Sequence, residues 1–334
     1  MMDTIPQNAD IIKWGFVSGR ISALEERFLT REFFLNIISQ EKIGDILPHL
    51  QETFLKDYLA TPTVWTLWED FGLLTDRCFY EMAISIRSEC PTSLPADIYL
   101  IRGDYLNLRN ALSGMATFPF PVGLLQQDKL QAIAHGELAE LPLSLSETRE
   151  WSASELGDAD PDILDIILDG AYLRHLLSLA DKLNSYMIKT FISEKVLASI
   201  ISILWRALNQ GLQVKRYQQY LLPLGNFTPV INELAGLDNP ELWPAAIDGT
   251  IGELLADALE LRSDEKISGF QLKVVNHLTM LIRDGRLQTA GPERVFSFLT
   301  GLNVEMQNLK LAVTGRLNHI DQDLLKDRLK DCYV

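Results

Sequence analysis

Asp104-Tyr105-Leu106-Asn107-Leu108-Arg109-Asn110-Ala111-Leu112-Ser113-Gly114 and Glu305-Met306-Gln307-Asn308-Leu309-Lys310-Leu311-Ala312-Val313-Thr314-Gly315 are one pattern written twice. Each reads acid, two residues, Asn-Leu, a cation, two residues, an aliphatic, one residue, Gly. A degraded third copy lies between them. It keeps the cation at Arg206 and the glycine at Gly211, with Ile201 and Leu204 at the acid and Asn positions. The glycines at 114, 211 and 315 are 97 and 104 residues apart, so a chain of 334 residues reads as three related units. The expected division is 1–118, 119–218 and 219–334.

Outward from the repeats, helical periodicity dominates. Between Asp10 and Leu29, the residues Trp14, Val17, Ile21, Leu24 and Phe28 step by three and four, one apolar stripe on an amphipathic helix. Asp160-Pro161-Asp162 is a start signal, with an N-cap acid, proline in the first turn and a second acid beside the helix dipole. The helix it opens carries Leu168, Tyr172, Leu176, Ala180 and Leu183 on one side. Gly291-Pro292-Glu293 opens another, with Val295, Leu299, Leu302, Met306, Leu309 and Val313 along it. No run of β-branched residues bounded by turn signals supports a sheet. Breaks are expected at Pro91–Pro95, Phe118–Pro121, Leu222–Asn226 and Asp238–Pro244. The predicted fold class is all-α, in three helical units.

Composition narrows the function classes. At 47% hydrophobic and 22% charged residues the chain is a folded protein rather than a disordered one. A net charge of −15 opposes a nucleic-acid partner and an anionic lipid surface, and suits a basic protein surface. The polar opening, Met1–Asn8, has no basic segment followed by an apolar run, so no secretory signal is expected. The longest apolar stretch, Leu197–Trp205, is half the length of a membrane span and reads as a buried helix. Cys78, Cys90 and Cys332 give neither a disulfide framework nor a CxxC pair, and reduced cytosolic thiols are expected.

Catalytic and cofactor patterns do not emerge. His49, His135, His175, His277 and His319 have no metal-ligand spacing, and no phosphate loop, dinucleotide fingerprint or nucleophile elbow occurs. Asp158, Asp160, Asp162 and Asp165 read as a capped helix start. Trp65, Trp68 and Phe71 read as core. No catalytic, cofactor-binding or metal residues are expected, nor a direct small-molecule substrate. The polar positions of the repeats admit two readings. Either Asp104, Asn107, Arg109, Arg206, Glu305, Asn308 and Lys310, with Arg316 just beyond, lock the units together, or they flank an opening and touch a partner.

These residues also resemble a known family. Glu305-Met306-Gln307-Asn308-Leu309-Lys310, Thr314-Gly315-Arg316-Leu317, Asp327-Arg328-Leu329 and the closing Tyr333-Val334 are similar to the C-terminus of the C subunits of V/A-type ATPases, the family that includes the d subunit of the vacuolar enzyme. Trp14-Gly15-Phe16-Val17, Arg20-Ile21, Leu24–Leu29, Leu50-Gln51-Glu52-Thr53-Phe54, Asp104-x-x-Asn107-Leu108-Arg109 and Asp169-x-x-Tyr172-Leu173 extend the likeness along nearly the whole chain. The middle unit departs from the pattern by lacking the acid and the Asn, and Thr300-Gly301-Leu302-Asn303 departs from the family's usual Ala-Lys-Glu-Asn.

The resemblance implies three similar helical bundles forming a pseudo-threefold funnel. It implies a non-catalytic component of the central stalk, peripheral on the cytoplasmic face of the membrane, without a transmembrane segment. Such a component receives the D and F shaft subunits and caps the membrane proteolipid ring, coupling rotation to proton or sodium transport. The eight polar residues named above are then candidate partner contacts. The alternative is a free α-helical repeat scaffold unrelated to ATPases, with its units stacked in a row.

Overall fold

The computed structural model of the protein describes residues 8–40, 42–59, 68–115, 123–136, 141, 143–146, 151–212 and 214–334. In chain order its helices are α1 (Asn8–Glu25), α2 (Arg31–Ser39), α3 (Ile43–Leu50), α4 (Trp68–Glu89), α5 (Leu94–Leu112), α6 (Gln127–Ala134), α7 (Leu143–Ser146) and α8 (Ala153–Gly157). Then come α9 (Pro161–Lys182), α10 (Tyr186–Asn209), α11 (Val214–Leu221), α12 (Thr228–Gly236), α13 (Thr250–Leu259), α14 (Lys266–Arg283), α15 (Pro292–Leu317) and α16 (Gln322–Asp327). Short 3₁₀ turns join several of them, and no strand occurs among the described residues, so the protein is all-α. The opening Met1–Gln7, Trp65 with the side chain of Trp68, and the break at Phe118–Pro121 lie outside the described residues.

The chain forms two compact units. The first holds Met1–Leu100, Pro119–Gly123 and Thr279–Val334; the second holds Ile101–Phe118 and Leu124–Leu278. The chain therefore passes between them within α5, on either side of Pro119–Gly123, and within α14.

The first unit is built on α15. Gly291, at φ 140°, precedes Pro292, and the helix runs 26 residues with apolar side chains buried on several sides. Helices α1, α2, α3, α4 and α16 pack around it. Small residues on α15 admit the closest approaches: a Cβ on Gly301 would lie 2.5 Å from the ring of Tyr333. That ring belongs to an aromatic cluster in which Phe28 lies 5.2 Å from Tyr333, 5.5 Å from Phe298 and 5.8 Å from Phe54 between centroids. The Tyr333 hydroxyl lies 2.5 Å from Ser297 Oγ and donates to Glu25 Oε1 at 3.2 Å. Glu25 also pairs with the buried Arg294 at 2.5 Å. Burial raises the Glu25 pKa, against the pull of Arg294 and Tyr333.

The apolar stripe expected to run to Leu29 on one helix is divided. Helix α1 stops at Glu25, and Phe28 reaches the core from the turn that follows. Arg27 N–H and Phe28 N–H return to the carbonyls of Leu24 and Glu25, while Leu29 N–H leaves the ladder for the carboxylate of Glu305.

The second unit is centred on α9 and α10. Asp160 caps α9 through Asp162 N–H at 3.0 Å, with Pro161 in the first turn, as the sequence predicts. A core of Leu108, Leu112, Leu130, Ile133, Leu145, Leu164, Ile167 and Leu168 joins α5 to α6, α7 and α9. Gly170 lets α11 lie against α9, since a Cβ there would be 2.5 Å from the carbonyl of Tyr220. One turn on, buried Arg174 donates to Ser144 O at 3.0 and 3.1 Å and to Leu221 O at 3.3 Å, so this guanidinium ties α7 and α11 to α9. On α10 the Leu197–Trp205 stretch is buried as expected. Trp205 meets Trp243 at 6.3 Å and Phe270 at 6.4 Å.

Candidate functional site

The acids of the two complete repeats do the same work. Glu305 Oε2 accepts the backbone N–H of Leu29 at 2.8 Å. Leu29 stands one residue before Thr30, the N-cap of α2. Asp104 accepts Leu124 N–H with both oxygens at 2.9 Å and Leu125 N–H at 3.1 Å. Leu125 stands one residue before Gln126, the N-cap of α6. In each unit a buried carboxylate on a long helix therefore fixes the chain entering a short helix. A main-chain N–H that precedes a helix has no intrahelical partner, which is why an acid is wanted there.

Burial sets the charge of these groups. Glu305 is pushed up to about 8 by burial, which outweighs the Leu29 N–H and the positive charge of Arg27. Among the described residues its second oxygen, Oε1, has no hydrogen-bond partner. Cys78 and Cys332 lie within electrostatic reach of it; their thiols are driven to about 12 and about 11, chiefly by burial.

The Asn positions are buried as well. Asn308 grips the C-terminal segment with two bonds, Nδ2 donating to Lys330 O and Oδ1 accepting Lys330 N–H, both at 3.0 Å. Asn107 is 1% exposed in the second unit.

The cations lie nearer the surface. Lys310 reaches Asp76 on α4 at 3.2 Å. Arg316 donates Nε and a terminal nitrogen to Gln40 O, at 3.1 and 2.8 Å, where α2 ends. Arg109 pairs with Asp165 at 2.8 Å and Arg206 with Asp169 at 3.8 Å. The cations of the first and second repeats thus converge on one side of α9. Burial raises both aspartates, while Arg109 lowers Asp165 and Arg206 lowers Asp169.

The three glycines of the pattern do not share one role. Gly114 and Gly211 end α5 and α10 at φ 73° and 70°, each with the N–H of the next residue reaching back five positions, Met115 to Asn110 O and Leu212 to Ala207 O. Gly315 is not the third stop. Helix α15 continues one turn, His319 takes the left-handed conformation at φ 55°, and Ile320 N–H reaches Gly315 O. Gly315 instead makes room for Leu325 of α16, whose Cδ2 would overlap an added Cβ. The helix stops therefore fall at 114, 211 and 319.

Among the described residues, no three His, Cys, Asp or Glu side chains are grouped to hold a metal ion, and no helix is long and apolar enough to cross a membrane. Arg174, Arg294 and Glu25 escaped the sequence reading, because a lone charged residue inside an apolar helix carries no periodic signal of its own.

An all-α protein whose long helices carry buried acids that fix distant chain segments is the class these features define. The chain matches the ATP synthase (C/AC39) subunit family over residues 17–328 and belongs to it, a family of V/A-type ATPase subunits. It is also similar to the C subunit of the V-type sodium ATPase of Enterococcus hirae, 31% identical over 81 residues, a stretch that covers 24% of each chain.

Proposed function

We propose that this chain is the non-catalytic central-stalk component of a V/A-type ATPase or ATP synthase, coupling the rotating D and F shaft subunits to the membrane proteolipid ring for proton or sodium transport. The observation that carries this reading is the family match across residues 17–328. The absence of a phosphate loop from the sequence agrees with a protein that transmits torque rather than hydrolysing nucleotide. Close-packed helices suit that work, because protein interiors have low compressibility.

The three-bundle funnel, divided at 1–118, 119–218 and 219–334, belongs to the same proposal. It is supported by the shared role of Asp104 and Glu305 and by three helix stops at similar spacing. In this reading Asp104, Asn107, Glu305 and Asn308 hold the bundles in shape. The more exposed Arg109, Arg206, Lys310 and Arg316 lie where a partner can reach them. The protein sits peripherally at the cytoplasmic face, against the ring.

The test is purification of the tagged native protein from detergent-solubilised membranes. Shaft and ring subunits should co-purify in fixed proportion. Recovery of the chain alone, from membranes in which the rest of the ATPase is intact, overturns the reading.

A further inference from the structure

Helix α1 is apolar on two sides. Its inner side is committed to the first unit. Trp14, Val17 and Ile21 are buried. Arg20 pairs with Glu89 on α4, and Glu25 pairs with Arg294 on α15. The helix therefore cannot roll to bury its outer side, which carries Ile12, Gly15, Phe16, Gly19 and Ala23. Offsets of three, four, seven and eleven place these five on one helical face. Ile12 is 78% and Phe16 72% exposed, and the two glycines and Ala23 are exposed with them. No charged residue falls on this face between Ile12 and Ala23. The outward face of a surface helix is ordinarily polar, and adjacent large apolar side chains there mark a surface that another molecule covers.

The glycines point the same way. A glycine inside a helix weakens it relative to alanine. Elsewhere the chain itself supplies the reason: Gly170 admits the carbonyl of Tyr220, and Gly301 admits the ring of Tyr333. A Cβ on Gly15 or Gly19 would meet nothing within 4 Å among the described residues, and neither glycine has a positive φ. A second helix crossing α1 gives them a purpose, because the distance between helix axes is set by the side chains at the contact. The bare turns form a notch, and Ile12 and Phe16 form a ridge beside it. A crossing helix can seat a branched aliphatic side chain in the notch and rest its flank on the ridge.

The surface also distinguishes among coverings. A lipid surface takes up large apolar side chains and gains nothing from bare glycine. A second copy of the chain would set a net charge of −15 against another of −15. It would do so across a small face, since one aromatic side chain buries about 150–250 Å² where a stable complex needs about 800 Å² from each partner. A helix of a larger assembly needs no such area here, because other contacts hold it.

We propose that the outer face of α1 docks an uncharged, aliphatic helix face from another component of the ATPase, crossing at Gly15 and Gly19. The proposal rests on the central-stalk reading for the existence of that assembly, and adds a contact surface to it.

The test places the photo-crosslinker p-benzoylphenylalanine at position 16 of the full-length chain. Native membranes are irradiated, and the adduct is digested and identified by mass spectrometry. The expected adduct is a peptide from a helix of another ATPase component. Gly19→Leu, added to the same chain, should lower its yield about tenfold by filling the notch. The thermal midpoint of the purified Gly19→Leu chain should hold or rise, since leucine is the better helix former and meets open space. An adduct on lipid, on a second copy of this chain, or on no component at all overturns the proposal. So does an adduct yield that Gly19→Leu leaves unchanged, or a midpoint that falls, which would show that the chain needs the glycine for itself. Co-purification separates the two readings. If the parent chain assembles with shaft and ring while any of those results is found, the α1 face is removed and the central-stalk reading stands. If the parent chain never assembles with them, both fall.

Discussion

At the scale of single residues, Glu305 shows why the repeat carries an acid that has nothing to do with catalysis. Its carboxyl is buried among Leu29 N–H, Arg27, Cys78 and Cys332, with a pKa lifted from the ordinary 4.5 to about 8. A carboxyl whose folded pKa stands above its unfolded one gives full stability below pH 4.5 and loses it as pH rises through 8. Within that window the loss approaches 1.4 kcal/mol per pH unit, about the free energy of one unit of pKa shift. Glu305→Gln keeps an oxygen for Leu29 N–H and removes the titration. Urea unfolding should therefore find the variant close to the parent at pH 5 and more stable at pH 9; a difference that stays flat between those values would show that Glu305 is ionised without penalty. The cations sort in a similar way. Arg316→Ala strips both donors from Gln40 O at the end of α2 and should cost about 1–2 kcal/mol. Arg109→Ala breaks an ion pair whose arginine is 51% exposed and should cost under about 1 kcal/mol. Equal unfolding midpoints for the two variants would count against this ranking. The sequence named both arginines as candidate partner contacts. It could not distinguish them, because the acceptor of Arg316 lies 276 residues away.

Helices were the legible layer, and their ends less so. The start of α9 was readable because Asp160, Pro161 and Asp162 act within one turn of each other. The end of α1 was not, because the group that takes Leu29 N–H out of the ladder sits on α15. The same limit explains Gly315: a glycine at the right offset reads as a stop, yet whether it ends a helix or admits a neighbour depends on what packs there, here Leu325. This distinction gives a test in the second unit, with Gly114 as the stop and Gly170 as the close approach. Gly114→Ala forces a side chain into the left-handed region in open space and should cost about 1–2 kcal/mol. Gly170→Ala gains roughly 1 kcal/mol of helix propensity. Its Cβ, however, meets the Tyr220 carbonyl at 2.5 Å and Leu221 Cα at 3.2 Å, main-chain atoms that cannot rotate aside. Overpacking of this kind costs about 1–3 kcal/mol, and the Arg174 bond to Leu221 O should weaken as α11 is pushed away. Denaturant midpoints should fall for both variants. A Gly170→Ala protein more stable than its parent would mean that propensity outweighs the clash.

For the whole molecule, the sequence offers a period and the fold adds a closure that no period encodes. The first unit takes α1 and α2 from the start of the chain and α15, α16 and the last residues from its end, so its core cannot be completed by local contacts. Tyr333 is where the two ends meet. Its ring packs on Phe28 and covers Gly301, its hydroxyl serves Glu25 of α1 and Ser297 of α15, and its carbonyl accepts a bond from Arg286 at 3.2 Å. None of those partners belongs to the second unit. Deleting Tyr333 and Val334 removes a large buried aromatic side chain, a loss of about 3–5 kcal/mol by analogy with Phe-to-Ala substitutions in cores. It also leaves the buried Glu25–Arg294 pair with one donor fewer, which adds to the cost. Stability is distributed by cooperative unit, so the loss should be local. Hydrogen exchange of the truncated chain should show faster exchange in α1, α2 and α15, with protection in α9 and α10 held at the level of the full-length protein. Uniform loss of protection across both sets of helices would mean that the chain unfolds as one cooperative body and that the two compact units do not open independently.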